Sequence, residues 1–303
     1  MNYLVGGATL VNFPVIWVVA RFLGVAGPTP FSELKGALRP PTVVPPGASE
    51  SNAFTASLGV AKHLQLLQVA GEDTDEATWS LGPRLEGEVG GEGLVFSDAD
   101  RFGELCRKAF FKSEIEAIET EEKPSDVAVG LAWLTSRDPR EPLATVFEND
   151  PNEELRNSNL LEHTANNREQ WLAFRRWAID LGFATELGDR LHPDVVPATT
   201  WAVREMAGGR VPANEFVKRI VAAVPVLDGG LIARYVEEQL GVPRGLGDAV
   251  AGPLLYHTIL RLEAGKMVEL HCGDDADGTV AFAVHGTRVP IDGVTVLESS
   301  NAS

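Results

Sequence analysis

Residues 166–192 read NNREQWLAFRRWAIDLGFATELGDRLH. Trp171, Phe174, Trp177, Ala178 and Leu181 recur at intervals of three and four, which gathers them on one face of an α-helix over 167–181. Gly182 follows the last of them and ends the helix. Phe183 to Glu186 and Leu191 to His192 then read as two short strands around the turn Leu187-Gly188-Asp189-Arg190. The stretch is therefore an amphipathic helix running into a β-hairpin, and earlier helices of the same unit are expected within 98–111 and 125–135.

The same pattern recurs on both sides. Toward the C-terminus, Asn214 is an N-cap candidate for a helix carrying Phe216, Val217, Ile220, Val221 and Val224, and Leu231 to Leu240 forms the next one. A last helix starts near Pro253, with Leu254, Leu255, Thr258, Ile259 and Leu262 as its apolar stripe before Gly265. Met267 to Leu270 and Val280 to Val284 make the expected hairpin around the turn Gly273 to Gly278. Toward the N-terminus, helices are expected at Phe13 to Leu23, Pro30 to Leu38 and Asn52 to Val69, with a Pro-, Gly- and Ser-rich loop from Pro40 to Ser51 and a strand at Ala77 to Leu81.

Three helices followed by a two-stranded wing is the winged form of the helix-turn-helix. The expected fold is thus mainly α within the α+β class: tandem winged-helix units, each with three helices and a small β-hairpin wing. The units are placed at 1–95 with an acidic linker, 96–208 with extra helical sequence, and 209–303. Helix-helix-helix-hairpin also arises by chance in α+β proteins.

Composition limits what such a protein can touch. An apolar share of 44% against 23% charged residues is that of a folded globular chain. The net charge is −17, so the protein as a whole repels nucleic acid, and phosphate contact is confined to a local basic surface. Residues 71–127 hold 16 acids and 6 bases, an acidic surface or spacer. Cys106 and Cys272 are too few and too far apart for a disulfide scaffold and fit a reducing cytoplasm. The uncharged run from Leu4 to Ala20 is broken by Gly6, Gly7, Asn12 and Pro14, which favours a buried first helix over a membrane span or signal peptide.

No pattern for catalysis emerges. Phosphate-loop, Gly-x-Ser-x-Gly, His-Glu-x-x-His and paired Cys-x-x-Cys signatures are all missing. The glycines from Gly87 to Gly93 are interleaved with Glu88 and Glu92, which repel phosphate and suit a linker. His271-Cys272-Gly273-Asp274-Asp275 gathers ligand types, but alternate strand residues point to opposite faces, so a structural turn is expected. No catalytic residue, cofactor or metal site is assigned.

If nucleic acid is bound, the middle unit is the best placed. Its third helix would project Arg168 and Arg175 together, with Arg176 about 100° away. Asn166 and Asn167 stand at the helix start and Arg190 in the wing turn, residue types that suit adenine edges, guanine edges and phosphates. The plain alternative is a solvated helix start, with Arg175 or Arg176 paired to acids between Glu148 and Glu154.

Asn166-Asn167-Arg168-Glu169-Gln170-Trp171 leading into Gly182-Phe183, together with the layout of the whole chain, resembles the DpdG-like proteins, protein G of the bacterial gene cluster for deazapurine modification of DNA. The resemblance implies a non-enzymatic member of a DNA modification and restriction (phage defence) system working beside other protein subunits, ATPases and nucleases that other genes supply. On that basis the expected role is an adaptor or DNA-associated subunit, possible duplex contact running through the middle unit. A sequence-specific winged-helix transcriptional regulator is the competing class.

Overall fold

A helix needs an apolar stripe and defined ends, and the first one has both. In the computed structural model, which describes residues 2–38, 53–71, 76–86, 98–206, 208–242, 250–272, 278–284 and 287–297, α1 (Phe13–Ala26) follows a 3-10 turn at Gly6–Leu10. It buries Phe13, Ile16, Val19, Ala20 and Leu23. Gly27, at φ 77°, closes it by donating its N–H to the Leu23 carbonyl. The loop at Pro40 to Ser51, the glycine run at 87–93 and residues 273–277 of the expected last turn lie outside the described residues.

The chain divides into two compact units, residues 5–113 and residues 1–4 with 114–303. After α1 the first unit continues with β1 (Thr29–Pro30), α2 (Phe31–Leu38), α3 (Ala53–His63), β2 (Leu67–Ala70), β3 (Thr78–Leu81), the single turn α4 (Pro83–Glu86) and most of α5 (Ala99–Glu119). Its strands form an antiparallel sheet in the order β1-β3-β2. Phe31 packs near both Phe54 and Trp79, tying α2 to α3 and to the central strand.

The helix expected over Asn52 to Val69 stops at His63. Leu64 and Leu67 keep the helical interval, but Gln65 adopts φ 57°, and Leu66 donates back to the Ala61 carbonyl. The Gln65 and Leu66 carbonyls are then taken by Arg84 and Gly82 N–H groups. A Cβ on Gly82 would stand 2.2 Å from the Gln65 oxygen, so this close approach requires glycine.

In the second unit, Ser125 caps α6 (Asp126–Thr135) by accepting the Ala128 N–H at 3.2 Å, and every residue of α6 is buried. Then come β4 (Leu143–Ala144), α7 (Asp150–Asn157), α8 (Arg168–Asp180), β5 (Ala184–Leu187) and β6 (Arg190–Pro193), with strand order β4-β6-β5. The helices expected within 98–111 and 125–135 as the openers of this run are in fact α5, mostly within the other unit, and α6; the helix that precedes α8 is α7. The hairpin turn is shorter than expected: Leu187 and Arg190 are a ladder pair, leaving Gly188 and Asp189 as the turn, with Gly188 at φ 63°.

Helices α6 and α8 meet at Gly130, where an added Cβ would fall 2.5 Å from both the Phe174 ring and Thr164 Oγ1. Gly130→Ala therefore overpacks a rigid contact and should cost about 1–3 kcal/mol, read as a lower thermal midpoint. An unchanged midpoint would mean that the two helices part at no cost.

The rest of the unit is α9 (Val196–Arg204), β7 (Gly209–Pro212), α10 (Ala213–Ala223), α11 (Leu231–Leu240), β8 (Val250–Ala251), α12 (Pro253–Ala264), β9 (Val268–His271), β10 (Val280–Val284), β11 (Thr287–Ile291) and β12 (Gly293–Val296). Two expectations change. Asn214 is not the cap of α10: the helix begins at Ala213, and the Ala213 and Asn214 N–H groups donate to the Asp292 and Gly278 carbonyls. The segments at 268–271 and 280–284 do not pair with each other. β9 pairs with β12, which also pairs with β7, while β10 pairs with β11 and runs parallel to β8.

One order of elements thus occurs three times: helix, strand, two further helices, two strands, with the first strand always on the last. It gives β1-β3-β2, β4-β6-β5 and β7-β12-β9. The third run opens at α9 and carries α11 and the β8-β10-β11 sheet as additions. Helix α11 packs on α6, and Thr135 Oγ1 donates to the Val226 carbonyl nearby at 2.8 Å. Among the described residues, no helix is long and apolar enough to cross a membrane.

Candidate nucleic-acid interface

The start of α8 is built by its own side chains. Asn167 Oδ1 accepts the Gln170 N–H at 3.0 Å, and Gln170 Oε1 accepts the Asn166 N–H at 2.9 Å. One N–H that a helix start leaves without an intrahelical partner, that of Gln170, is satisfied in this way, and so is the Asn166 N–H just before the cap. Asn167 Nδ2 also donates to Asn166 Oδ1 at 2.9 Å. The carboxamide of Asn167 is therefore engaged at both ends, and Asn166 and Asn167 serve first as a cap.

Arg168, the first helical residue, is exposed beside them. The apolar stripe of α8 is buried, Trp171, Phe174, Trp177 and Ala178 each at 2% exposure or less. Arg175 is only half-buried. Its Nη1 donates to the Thr145 carbonyl at 2.8 Å and its Nη2 pairs with Glu186 of β5. Trp171 Nε1 donates to the same carbonyl at 3.1 Å. Arg175 thus holds α8 to the segment after β4 and to the hairpin. Arg176 is half-buried as well.

Arg190 lies on β6, where its Nη1 meets Asp150 Oδ2 at 2.9 Å. The other Asp150 oxygen accepts the Ala144 N–H at 2.8 Å. Of the acids between 148 and 154, Asp150 therefore pairs with Arg190 and Glu154 with Arg137, while Arg175 takes Glu186. Asn166, Asn167 and Arg168 are brought together at one helix end. Arg175 and Arg190 are each joined to a carboxylate.

Sequence reading missed the apolar part of this surface. Leu172 is 49% exposed and Leu187, at the hairpin end, 61%. At 100° per residue Leu172 and Ile179 lie within about 40° of Arg168, off the core stripe. That offset was the available signal. The face offers two exposed arginines, of which Arg190 is joined to Asp150, a pair of asparagines and exposed leucines, which suits docking onto a mixed polar and apolar surface more than tracking a phosphate backbone.

The other candidates carry less. His271 Nε2 and Thr295 Oγ1 are 2.7 Å apart across the β9–β12 pair, a contact within the sheet. Cys106 is buried and Cys272 exposed. Among the described residues, no group of three or more His, Cys, Asp or Glu side chains is placed to hold a metal ion.

No match was found for the chain among curated proteins or among solved structures. The model of one protein family, described as DpdG-like, matches residues 8–276. With nearly its whole length covered by that match, the chain belongs to the DpdG-like family.

Proposed function

We propose that this protein is a non-catalytic tandem winged-helix adaptor, or DNA-associated subunit, of a bacterial assembly that modifies and restricts DNA in the cytoplasm. The observation that carries the reading is the threefold recurrence of one strand order, in which the strand after the first helix pairs with the last strand of the run. A third helix leading directly into two strands is the arrangement winged helices present to DNA or to protein partners. The family supplies the context of a DNA modification cluster. Adaptor is favoured over regulator because the net charge of −17 opposes contact with a phosphate backbone.

The test is fluorescence anisotropy of the full chain against labelled duplex at low and moderate salt. An adaptor shows at most weak binding, gone at moderate salt and indifferent to sequence. Tight, salt-steep binding to a defined duplex that Arg168→Ala abolishes overturns the reading in favour of a sequence-specific regulator.

A further inference from the structure

A cleft of about 480 Å³ opens in the second unit between the β5–β6 hairpin and α12. Four basic side chains line it, Arg140, His192, His257 and Arg261, with Asp194 as the acidic member of the lining.

Both arginines are held in place by carboxylates. Asp138 engages Nε and Nη2 of Arg140 at 2.9 and 2.5 Å, and Asp194 engages Nη1 of Arg261 at 2.8 Å. A guanidinium carries five N–H donors, so a fork oriented in this way keeps donors for a second anion. Asp194 is itself anchored: its Oδ1 accepts the Val196 N–H at the start of α9, and its Oδ2 accepts the Thr185 hydroxyl. His257 adds a second observation. The side chain is half-buried, and its Nε2 has no hydrogen-bond partner among the described residues. The remaining wall is apolar, with Leu187 on the hairpin and Leu254 on α12.

We propose that this cleft binds a nucleoside monophosphate, its phosphate held by Arg140 and Arg261 and its base lying against Leu187 and Leu254. Planar arginine forks match phosphate oxygens, and a concave site of this volume lined by apolar walls with few converging polar groups is of the size that takes a drug-sized ligand. The cleft shares Leu187 with the face described above, but none of Asn166, Asn167 and Arg168 at the start of α8 lines it.

The experiment is titration calorimetry of the full chain with AMP, GMP, CMP and UMP, with adenosine, inorganic phosphate and a short DNA duplex as comparisons. At least one mononucleotide binds saturably at one site, more tightly than adenosine or phosphate. Arg140→Gln and Arg261→Gln each weaken that binding about tenfold, as expected for loss of a charge-assisted contact. Arg140 is 52% exposed, so its substitution leaves the melting temperature unchanged and keeps the test interpretable. No binding of any of the four mononucleotides, binding indifferent to both substitutions, or displacement of the nucleotide by duplex with the same arginine dependence overturns the proposal.

Discussion

Asp126→Ala should lower the melting temperature by about 10 °C, because it strips a buried acceptor from three main-chain donors. Asp126 is 7% exposed and receives the N–H of Tyr3 at 2.7 Å, of Leu4 at 2.9 Å and of Val127 at 2.9 Å. Tyr3 and Leu4 are themselves fully buried, and the Tyr3 ring lies 4.8 Å from Trp177. Truncation leaves their amides without a partner in a place water does not reach, at about 1–3 kcal/mol apiece. Asp126→Asn keeps one acceptor oxygen and should fall between. Amide exchange at Tyr3 and Leu4 is the local readout, and protection retained in Asp126→Ala would sink the argument.

The pH dependence of that loss has a definite sign. Burial pushes the Asp126 carboxyl above its ordinary 3.8, against the opposing pull of the Leu4, Tyr3 and Val127 N–H groups. Burial likewise pushes Glu114 above 4.5, although it accepts the Ser125 N–H at 2.7 Å. A folded-state value above the unfolded one means that the native state binds the proton more tightly. The stabilisation is fully present below about 3.8 and is lost as pH rises through the folded-state value. The gap between wild type and Asp126→Ala should therefore narrow as pH is raised from the acid side toward neutrality, and a gap that widens would contradict it.

Trp171→Ala should cost about 3–5 kcal/mol, the usual range for deleting a large aromatic from a core. The side chain is 1% exposed, stacks on Phe174 at 5.5 Å and has Phe147 at 6.5 Å. Trp171→Phe keeps most of the apolar contact and gives up the indole bond to the Thr145 carbonyl, a loss of about 1 kcal/mol. That carbonyl is not orphaned in either variant, since Arg175 also donates to it. Chemical denaturation of the three proteins checks the order: a Trp171→Ala cost near that of Trp171→Phe would show that the core of this unit collapses around the gap.

Legibility varied along the chain for identifiable reasons. Helix α8 was readable almost to the residue because its Trp171-Phe174-Trp177-Ala178 stripe, Asn167 cap and Gly182 stop agree. Helix α12 was equally clear, its buried set being the stripe Leu254, Leu255, Thr258, Ile259 and Leu262. Helix α7 buries only Pro151 and Leu155, too little for a period to show. Strands β1 and β4 are two residues long, and β7 is nearly all exposed, so none of them alternates. At the candidate interface, Asn166, Asn167 and Arg168 were found where expected, at the start of α8. That Arg175 pairs with Glu186, 11 residues on, depends on the hairpin folding back along the helix.

What the amino-acid sequence determined by itself was local: the amphipathic stripes of α1, α8 and α12 and the Pro253 and Gly182 that bound two of them, whereas Asn214 is no cap and the helix expected over 52–69 stops at His63. The stripes and their bounds follow from spacing and backbone conformation within a few residues. Tertiary structure alone decided partners distant in sequence. It sent β9 to β12 instead of β10, ended α3 at His63 so that β2 could pair with β3, latched Tyr3 and Leu4 onto Asp126, and drew Arg140, His192, His257 and Arg261 into one cleft. Such contacts are chosen by competition among alternative pairings for buried area and satisfied hydrogen bonds, a property of the whole chain that no short window encodes.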